Sequence, residues 1–429
     1  MNHSEHTWRE PPDPHRWAIF GVIAGVYFLV YFHRVSTSVI APDLLAAFQT
    51  NATALGFMSS MYFYIYALEQ PLVGYLSDRL GPRRVVGLWS LSAALGCLIF
   101  GFAPSIGWAA LGRAFIGFGV GGVYVPALKS FSQWFRKREF ATMTGLLLAS
   151  GNLGAIVATT PLAWMAATWG WRSSFFVIGG ITLALAFVTL YLIHDFVSQS
   201  TPETEDLSPN LGNDRTSHLS ARHVLASIRF WILAAIFFGV FGGTISLQGL
   251  WATPFLMSLF QLERLNASWL NMLIPVGVIL GAPLSGWLAD RIFRDMANLV
   301  ITLLLVLSAA WVFLTYGAPV LGVTGVIPLF LFFGAATGGM GTTLWAVARE
   351  KTPSHILGLT TGLLNPFPLL GMAVMQGWTG AILDRTGKIE GMYPPAAFKN
   401  AFSLCLAIAV ICLGLCIGLR KHLSTKQPN

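Results

Sequence analysis

Twelve runs of mostly apolar residues constrain this chain more than any other feature. They lie near residues 17–40, 54–75, 84–103, 107–133, 140–166, 174–194, 229–258, 268–289, 297–317, 323–348, 357–382 and 399–420. Each holds about 20 residues or more, enough to cross the hydrocarbon core as a helix that satisfies its own backbone hydrogen bonds. Composition agrees. The 429 residues are 55% hydrophobic and 10% charged, where soluble domains carry roughly 25% charged residues. Lipid must be the solvent for most of the chain, and the expected fold is an all-α integral membrane protein of twelve transmembrane helices.

The runs come in two sets of six. Gly74-Tyr75-Leu76-Ser77-Asp78-Arg79-Leu80-Gly81-Pro82-Arg83-Arg84 closes the second run, and Gly286-Trp287-Leu288-Ala289-Asp290-Arg291 closes the eighth. A shift of about 212 residues also lays Pro42 on Pro254 and Pro71 on Pro283, and a shift of about 217 lays Gly117 on Gly334 and Gly154 on Gly371. Internal repeats of this kind in an apolar chain mark secondary transporters. The expected organisation is an N-terminal tail (1–16), a first six-helix bundle (17–194), a linker (195–228), a second bundle (229–420) and a C-terminal tail (421–429). The linker reads as irregular, with a short surface helix around Ser220–Ser227.

The net charge of +8 invites a nucleic-acid reading, but its distribution excludes one. Arg79, Arg83, Arg84, Arg136, Lys137, Arg138, Arg291, Arg349, Lys351 and Arg420 fall in connectors on one side of the membrane, and few basic residues fall on the other. That is the positive-inside pattern, and it places both termini in the cytoplasm. The polar first 16 residues lack the organisation of a signal peptide, so the first run is expected to be retained. Cys97, Cys405, Cys412 and Cys416 sit inside apolar runs without metal-ligand spacing. No phosphate-binding Gly-x-x-x-x-Gly-Lys loop and no nucleophile elbow occurs, so neither an ATP-driven pump nor an enzyme is indicated.

Six plus six helices with the doubled Gly-x-Leu-[Ser/Ala]-Asp-Arg phrase resemble the major facilitator superfamily over nearly the whole chain. Tyr31-Phe32-His33-Arg34-Val35-Ser36-Thr37-Ser38 resembles the first helix of its organophosphate-antiporter and anion:cation-symporter branches. Arg113-x-x-x-Gly117 followed by Tyr124-x-Pro126-Ala127 resembles their fourth. The resemblance implies two pseudo-symmetric six-helix bundles and a secondary transporter in the bacterial inner membrane that works by alternating access as a monomer. It makes Gly74, Asp78, Arg79, Arg83, Asp290 and Arg291 gate residues. Asp78 is expected to meet the start of helix 11 and Arg136 or Arg138, with Gly74 at a close helix contact. It also makes Arg34 the anion-binding residue of helix 1. Two departures narrow the substrate: Val120 stands where some symporters carry an acid, and the helix-7 position opposite Arg34 falls near Ser246, where no Arg is found. A doubly charged phosphate is therefore harder to hold than a monocarboxylate or zwitterion.

The residues themselves point the same way. A charge at the bilayer centre costs about 2.5–3.5 kcal/mol, so it must face a cavity or a partner. Arg34, Glu69, Arg113 and Lys129 are such charges; the repeat places Ser246, Gly281, Phe330 and Ala346 opposite them. On helix 1, Tyr27, Tyr31, Arg34 and Ser38 share a face; on helix 4, Arg113, Gly117, Gly121 and Tyr124 share another. Arg34 and Arg113 lie at one depth and, with Tyr31, Ser38 and Tyr124, suit a carboxylate or phosphate. The alternative for Arg113 is a gating or coupling role. Glu69 shares a face with Tyr62 and Tyr66 and is the candidate carrier of a coupling proton; the alternative is a fixed partner for Lys129 or Arg34. Lys129 reads as a snorkelling or structural charge. The second half is expected to add Gln248 and Trp251, on one helix-7 face with Thr244, together with Trp345 and Asn365. The expected function is proton-coupled transport of a small organic anion or zwitterion. The expected partners are that substrate, lipid and protons, with no cofactor. A uniporter or exporter of other small polar molecules, or a transporter-derived membrane sensor, are the alternatives.

Overall fold

The computed structural model describes residues 15–136, 138–193, 224–293, 295–352, 356–389 and 391–420. Twelve spans follow one another: His15–Ala47, Ala52–Leu80, Pro82–Phe102, Ile106–Gly121 with Tyr124–Trp134, Phe140–Val157 with Thr160–Trp169, and Trp171–Leu192 form the first half. The second half holds Ile228–Ser246 continued through a π-turn (Leu247–Trp251) into Ala252–Phe260, then Arg264–Arg291, Met296–Val312, Ala318–Lys351, Leu357–Leu364 with Pro366–Thr386, and Pro395–Gly418. Length and hydropathy alone identify only eight of these stretches, or nine with the bent fifth span. The ninth and tenth spans are counted there as one run, which turns back at a second π-turn (Phe313–Gly317) and at Gly322, whose φ is 65°. The second and eleventh spans are less apolar, yet they pack along each other between the halves. Of the surface helix expected around Ser220–Ser227, residues 224–226 are helical and 220–223 lie outside the described residues, as do both tails and most of the linker.

An even number of spans puts the start of span 1 and the end of span 12 on one side, here the tail face; the opposite side is the far face. The doubled phrase turns the chain on the tail face by two different devices. After span 2, Gly81 takes a φ of 81°, which disfavours a side chain, and Pro82 opens span 3 at once. After span 8 that glycine is missing, and Asp295 caps span 9 by accepting from the Ala297 N–H at 3.1 Å.

The repeat is also visible in packing. With no side chain on Gly117, span 4 lies on the backbone of Tyr62 in span 2; Gly334 of span 10 lies in the same way on Ile274 of span 8. Small residues at such crossings let membrane helices approach closely. Spans 1 and 7 break the register. Gly154 packs on Phe28 and Gly371 on Phe238, which places span 7 at an offset of 210 residues from span 1 on the tail side. Pro42 and Pro254 are 212 apart. The π-turn at Leu247–Trp251 lies in the interval where the register slips. The position matching Arg34 is therefore Thr244, not Ser246.

Candidate functional site

Arg34 faces the seam between the halves. Its guanidinium lies 4.2 Å from the centroid of the Tyr31 ring, and the phenols of Tyr27, Tyr62 and Tyr66 stand around it. The residue is half-buried, its Nε has no partner, and it makes no ion pair among the described residues. Tyr27 continues the aromatic wall, with ring centroids 5.4 Å from Tyr31 and 5.7 Å from Tyr124. The break between the two helices of span 4, at Gly122–Val123, starts a new helix at Tyr124 and sets its ring against Tyr27. A half-buried guanidinium among hydroxyls, without a carboxylate to neutralise it among the described residues, suits an anion.

Arg113 does not share that space. It is fully buried inside the first half, where Nη1 donates to the His33 carbonyl at 2.9 Å and Cζ sits 4.8 Å from the Tyr62 centroid. The two arginines do lie at one depth. Successive residues of a helix point about 100° apart, however, so a group bound at His33 is behind the helix as seen from Arg34. Tyr62 stands between them and anchors its hydroxyl on the Val30 carbonyl at 2.8 Å.

Glu69 also turns inward. Its Oε2 accepts from Trp89 Nε1 at 2.9 Å, its Oε1 has no partner, and the bare face of Gly121 leaves it room. Trp89 stacks on Phe118 at 5.0 Å, so the carboxyl is held between spans 2, 3 and 4. The alternative role, a fixed partner for Lys129 or Arg34, finds no ion pair among the described residues. Tyr66 is the group that neighbours both Glu69 and Arg34.

The remaining candidates divide between the seam and the interior. Ser38 is buried in the seam, 3.3 Å from Thr253 Oγ1 and 3.4 Å from Asn271 Nδ2. Asn271 also donates to the Gln248 carbonyl at 3.0 Å, and Gly249 lies against the Arg34 carbonyl. Trp251 is not with them. It is fully enclosed in the second half, where Nε1 donates to Thr379 Oγ1 at 2.8 Å. The π-turn rotates Trp251 off the face that ordinary α spacing assigns it with Gln248, and Thr244 pairs with Thr337 at 3.1 Å. Asn365 joins the halves by donating to Gln70 Oε1 at 3.2 Å.

The strongest junction between the halves lies on the far face and was missed in the sequence. Asp384, near the end of span 11, accepts the N–H groups of Ala52 (2.9 Å) and Thr53 (2.7 Å) at the start of span 2. It also takes the hydroxyls of Thr53 and Tyr393. The unpaired N–H groups of a helix start attract a carboxylate. Arg264 pairs with Asp43 at 2.6 Å, and Lys388 donates to the Thr50 carbonyl at 2.8 Å. The sequence signals were present: Asn51, which caps span 2, and an acid just past an apolar run.

The family model described as Major Facilitator Superfamily matches residues 23–375. The chain belongs to this superfamily. Among its relatives is the probable sulfoacetate transporter SauU of Cupriavidus necator, 26% identical over 87% of this chain and 89% of the relative. The membrane sensor protein UhpC of Salmonella typhimurium is 23% identical over 89% of this chain and 88% of its own length. The structure of a bacterial homologue of the human lysosomal transporter Spinster, inward-facing and unoccupied, superposes with a TM-score of 0.78 at 18% identity, covering 96% of this chain and 98% of that one. The chain is thus a multi-pass membrane transporter by family, with relatives in the organophosphate and anion:cation branches.

Among the described residues Asp78 makes no hydrogen bond or ion pair to the second half, and residues 353–355, at the expected start of helix 11, lie outside them. Asp78 is largely exposed and pairs with Lys129 of its own half at 2.8 Å, while Lys129 also donates to the Ser77 carbonyl at 2.9 Å. Neither Arg136 nor Arg138, the partners expected for Asp78, makes an ion pair with it, and the Arg136 backbone N–H donates to Glu139 at 3.0 Å. Lys129 reaches Asp78 because both lie at the tail-face ends of adjacent spans. A side chain at Gly74 would meet nothing within 4 Å, so the close contact expected there is not made. Arg79 lies over Tyr75 at 4.7 Å, Arg83 Nε donates to the Leu190 carbonyl at 2.5 Å, and Asp290 and Arg291 are exposed.

Proposed function

We propose that this protein is a secondary active transporter for a small organic anion or zwitterion, coupled to protons and working by rocking of two halves, residues 17–194 and 229–420. The observation that carries the reading is Arg34: a half-buried guanidinium in the seam, ringed by tyrosines, with no carboxylate paired to it among the described residues and Thr244 at the matching position of the other half. Arg79, Arg83, Arg84, Arg136, Arg138, Arg291 and Arg349 favour the tail face as the cytoplasmic one. On that orientation the described conformation is clasped on the outside by Asp384, and Asp78 would have to leave Lys129 to engage the other half when the inside closes. Glu69 is the candidate proton carrier, because a buried carboxyl with one oxygen unpartnered and no cation beside it favours holding a proton. Tyr66 is the route by which its charge reaches Arg34.

Counterflow of labelled substrate in proteoliposomes tests the reading. Arg34→Ala is expected to abolish saturable uptake, and Glu69→Gln to uncouple uptake from an imposed pH gradient. Wild-type flux indifferent to that gradient would remove the proton; unchanged affinity in Arg34→Ala would remove the anion site. The similarity to a membrane sensor keeps one second reading, a receptor that binds without transporting. Counterflow by the purified protein alone eliminates it.

A further inference from the structure

We infer that the substrate is amphiphilic: a monocarboxylate or monosulfonate whose body is apolar, rather than a polyhydroxy acid. The inference rests on the anion reading of Arg34 and adds what the opposite wall must recognise. Gly249 meets the Arg34 carbonyl, which fixes the face of span 7 that looks across the seam. Ile245 and Phe241, four and eight residues earlier, lie on that same face, and Phe241 falls about 12 Å toward the tail face. Tyr31 and Tyr27 precede Arg34 by three and seven residues on span 1, so they descend the opposing wall over the same depth.

Phe241 is not isolated. Its Cζ lies 3.5 Å from where a side chain on Gly341 of span 10 would begin. Phe237 stacks beside it at 5.9 Å and touches the Trp345 ring at 4.7 Å. Phe241 and Trp345 are half-buried, so part of each ring remains uncovered. Between Phe230 and Phe260, and between Ala318 and Ala348, spans 7 and 10 carry no ionisable residue. Three of their hydroxyls are already engaged: Thr244 and Thr337 bond each other, Thr337 also donates to the Phe333 carbonyl, and Thr342 pairs with Ser285.

A sugar acid would leave its hydroxyls facing this wall without partners, and each polar group buried unpaired weakens binding. An apolar body loses nothing there and gains ring contact. The anionic end is then held at Arg34, beneath the buried Ser38–Asn271–Gln248 cluster, and the body hangs toward the tail face between Tyr27, Tyr31 and Tyr124 on one side and Phe241 and Trp345 on the other.

Thermal shift of the purified full-length protein in detergent tests this with two singly charged probes, phenylacetate and gluconate. Phenylacetate is expected to raise the midpoint saturably and gluconate not to do so at equal concentration. Phe241→Ala should weaken phenylacetate at least about tenfold, and Arg34→Ala should abolish its effect. Phe241→Leu with Trp345→Leu serves as the second variant if Phe241→Ala does not fold. Saturable binding of gluconate as tight as phenylacetate, or no saturable binding of phenylacetate, overturns the amphiphile. If gluconate binds and Arg34→Ala abolishes it, the anion site stands without the apolar body. If phenylacetate binds equally well to Arg34→Ala, the anion site itself is lost.

Discussion

Asp384 and Asp78 are carboxylates at opposite ends of one seam, and they are in opposite conditions. Asp384 reaches out of the second half and takes both backbone N–H groups and hydroxyls around the start of span 2. Asp78 ends that same span on the tail face, stays within the first half on Lys129, and leaves its side chain 78% exposed. Spans 2 and 11 are partners along the seam, so each could present its acid to the start of the other. What differs is engagement rather than chemistry. At the far face the fastening is made, whereas among the described residues Asp78 makes no bond to the second half.

Breaking the far-face fastening should have the largest effect. Asp384→Ala removes charge-assisted hydrogen bonds worth about 1.5–3 kcal/mol each, though not additively. A cysteine placed at Ser258, buried beside the far-face cleft, should then react with a polar maleimide at least about tenfold faster than in the parent. The native cysteines are buried, which keeps the background low. An unchanged rate would show that Asp384 does not hold this end closed. Next comes the bridge partway down the seam. Gln70→Ala removes the bond to Asn365 and the one to the Gly121 carbonyl, and should lower thermal stability by about 1 kcal/mol while raising the same labelling rate less than Asp384→Ala does.

Freeing Asp78 probes the other end. The Lys129 pair is too exposed to contribute more than about 0–1 kcal/mol, so Lys129→Met should leave the melting midpoint nearly unchanged. If Lys129 restrains Asp78 from the opposite half, the variant should nevertheless show faster labelling on the far face; slower labelling would reverse the assignment. The smallest effect is expected at Glu139, also on the tail face. Its carboxyl is held below the usual carboxylate range by the Arg136 N–H and by Arg16, 3.0 Å away. A carboxyl depressed in the folded state stabilises at any pH above its unfolded value, about 4.3, and loses that contribution only as acid protonates it. Glu139→Gln should thus differ slightly from the parent at neutral pH and converge with it in acid.

The spans and their duplication were legible because each rests on a long, redundant signal. Twenty apolar residues tolerate an error of several, and Gly117 and Gly334 mark the same crossing in both halves. Side-chain direction was not legible, since it depends on a single turn of phase. Glu69 was placed correctly on span 2, yet it points at Trp89 because the room left by Gly121 lies on that side. Arg113 was placed at the right depth and behind the wrong side of span 1. Trp251 was misassigned because the π-turn has no marker in the apolar run that contains it. Asp384 was overlooked because a search for costly charges at the bilayer centre passes over one at the end of a span, where the start of a neighbouring helix makes the charge useful.

The π-turn of span 7 carries a consequence for anyone using the two halves as templates for each other. It acts as a phase shifter: beyond it toward the far face the copies run in step at one numbering, and on the tail side they run at another. A cation meant to mirror Arg34 belongs at position 244, and one placed by the simpler numbering at 246 would be turned toward Thr379, inside the second half. The molecule is two copies of one design read at slightly different phases, with Arg34 on one and Thr244 at the matching position of the other.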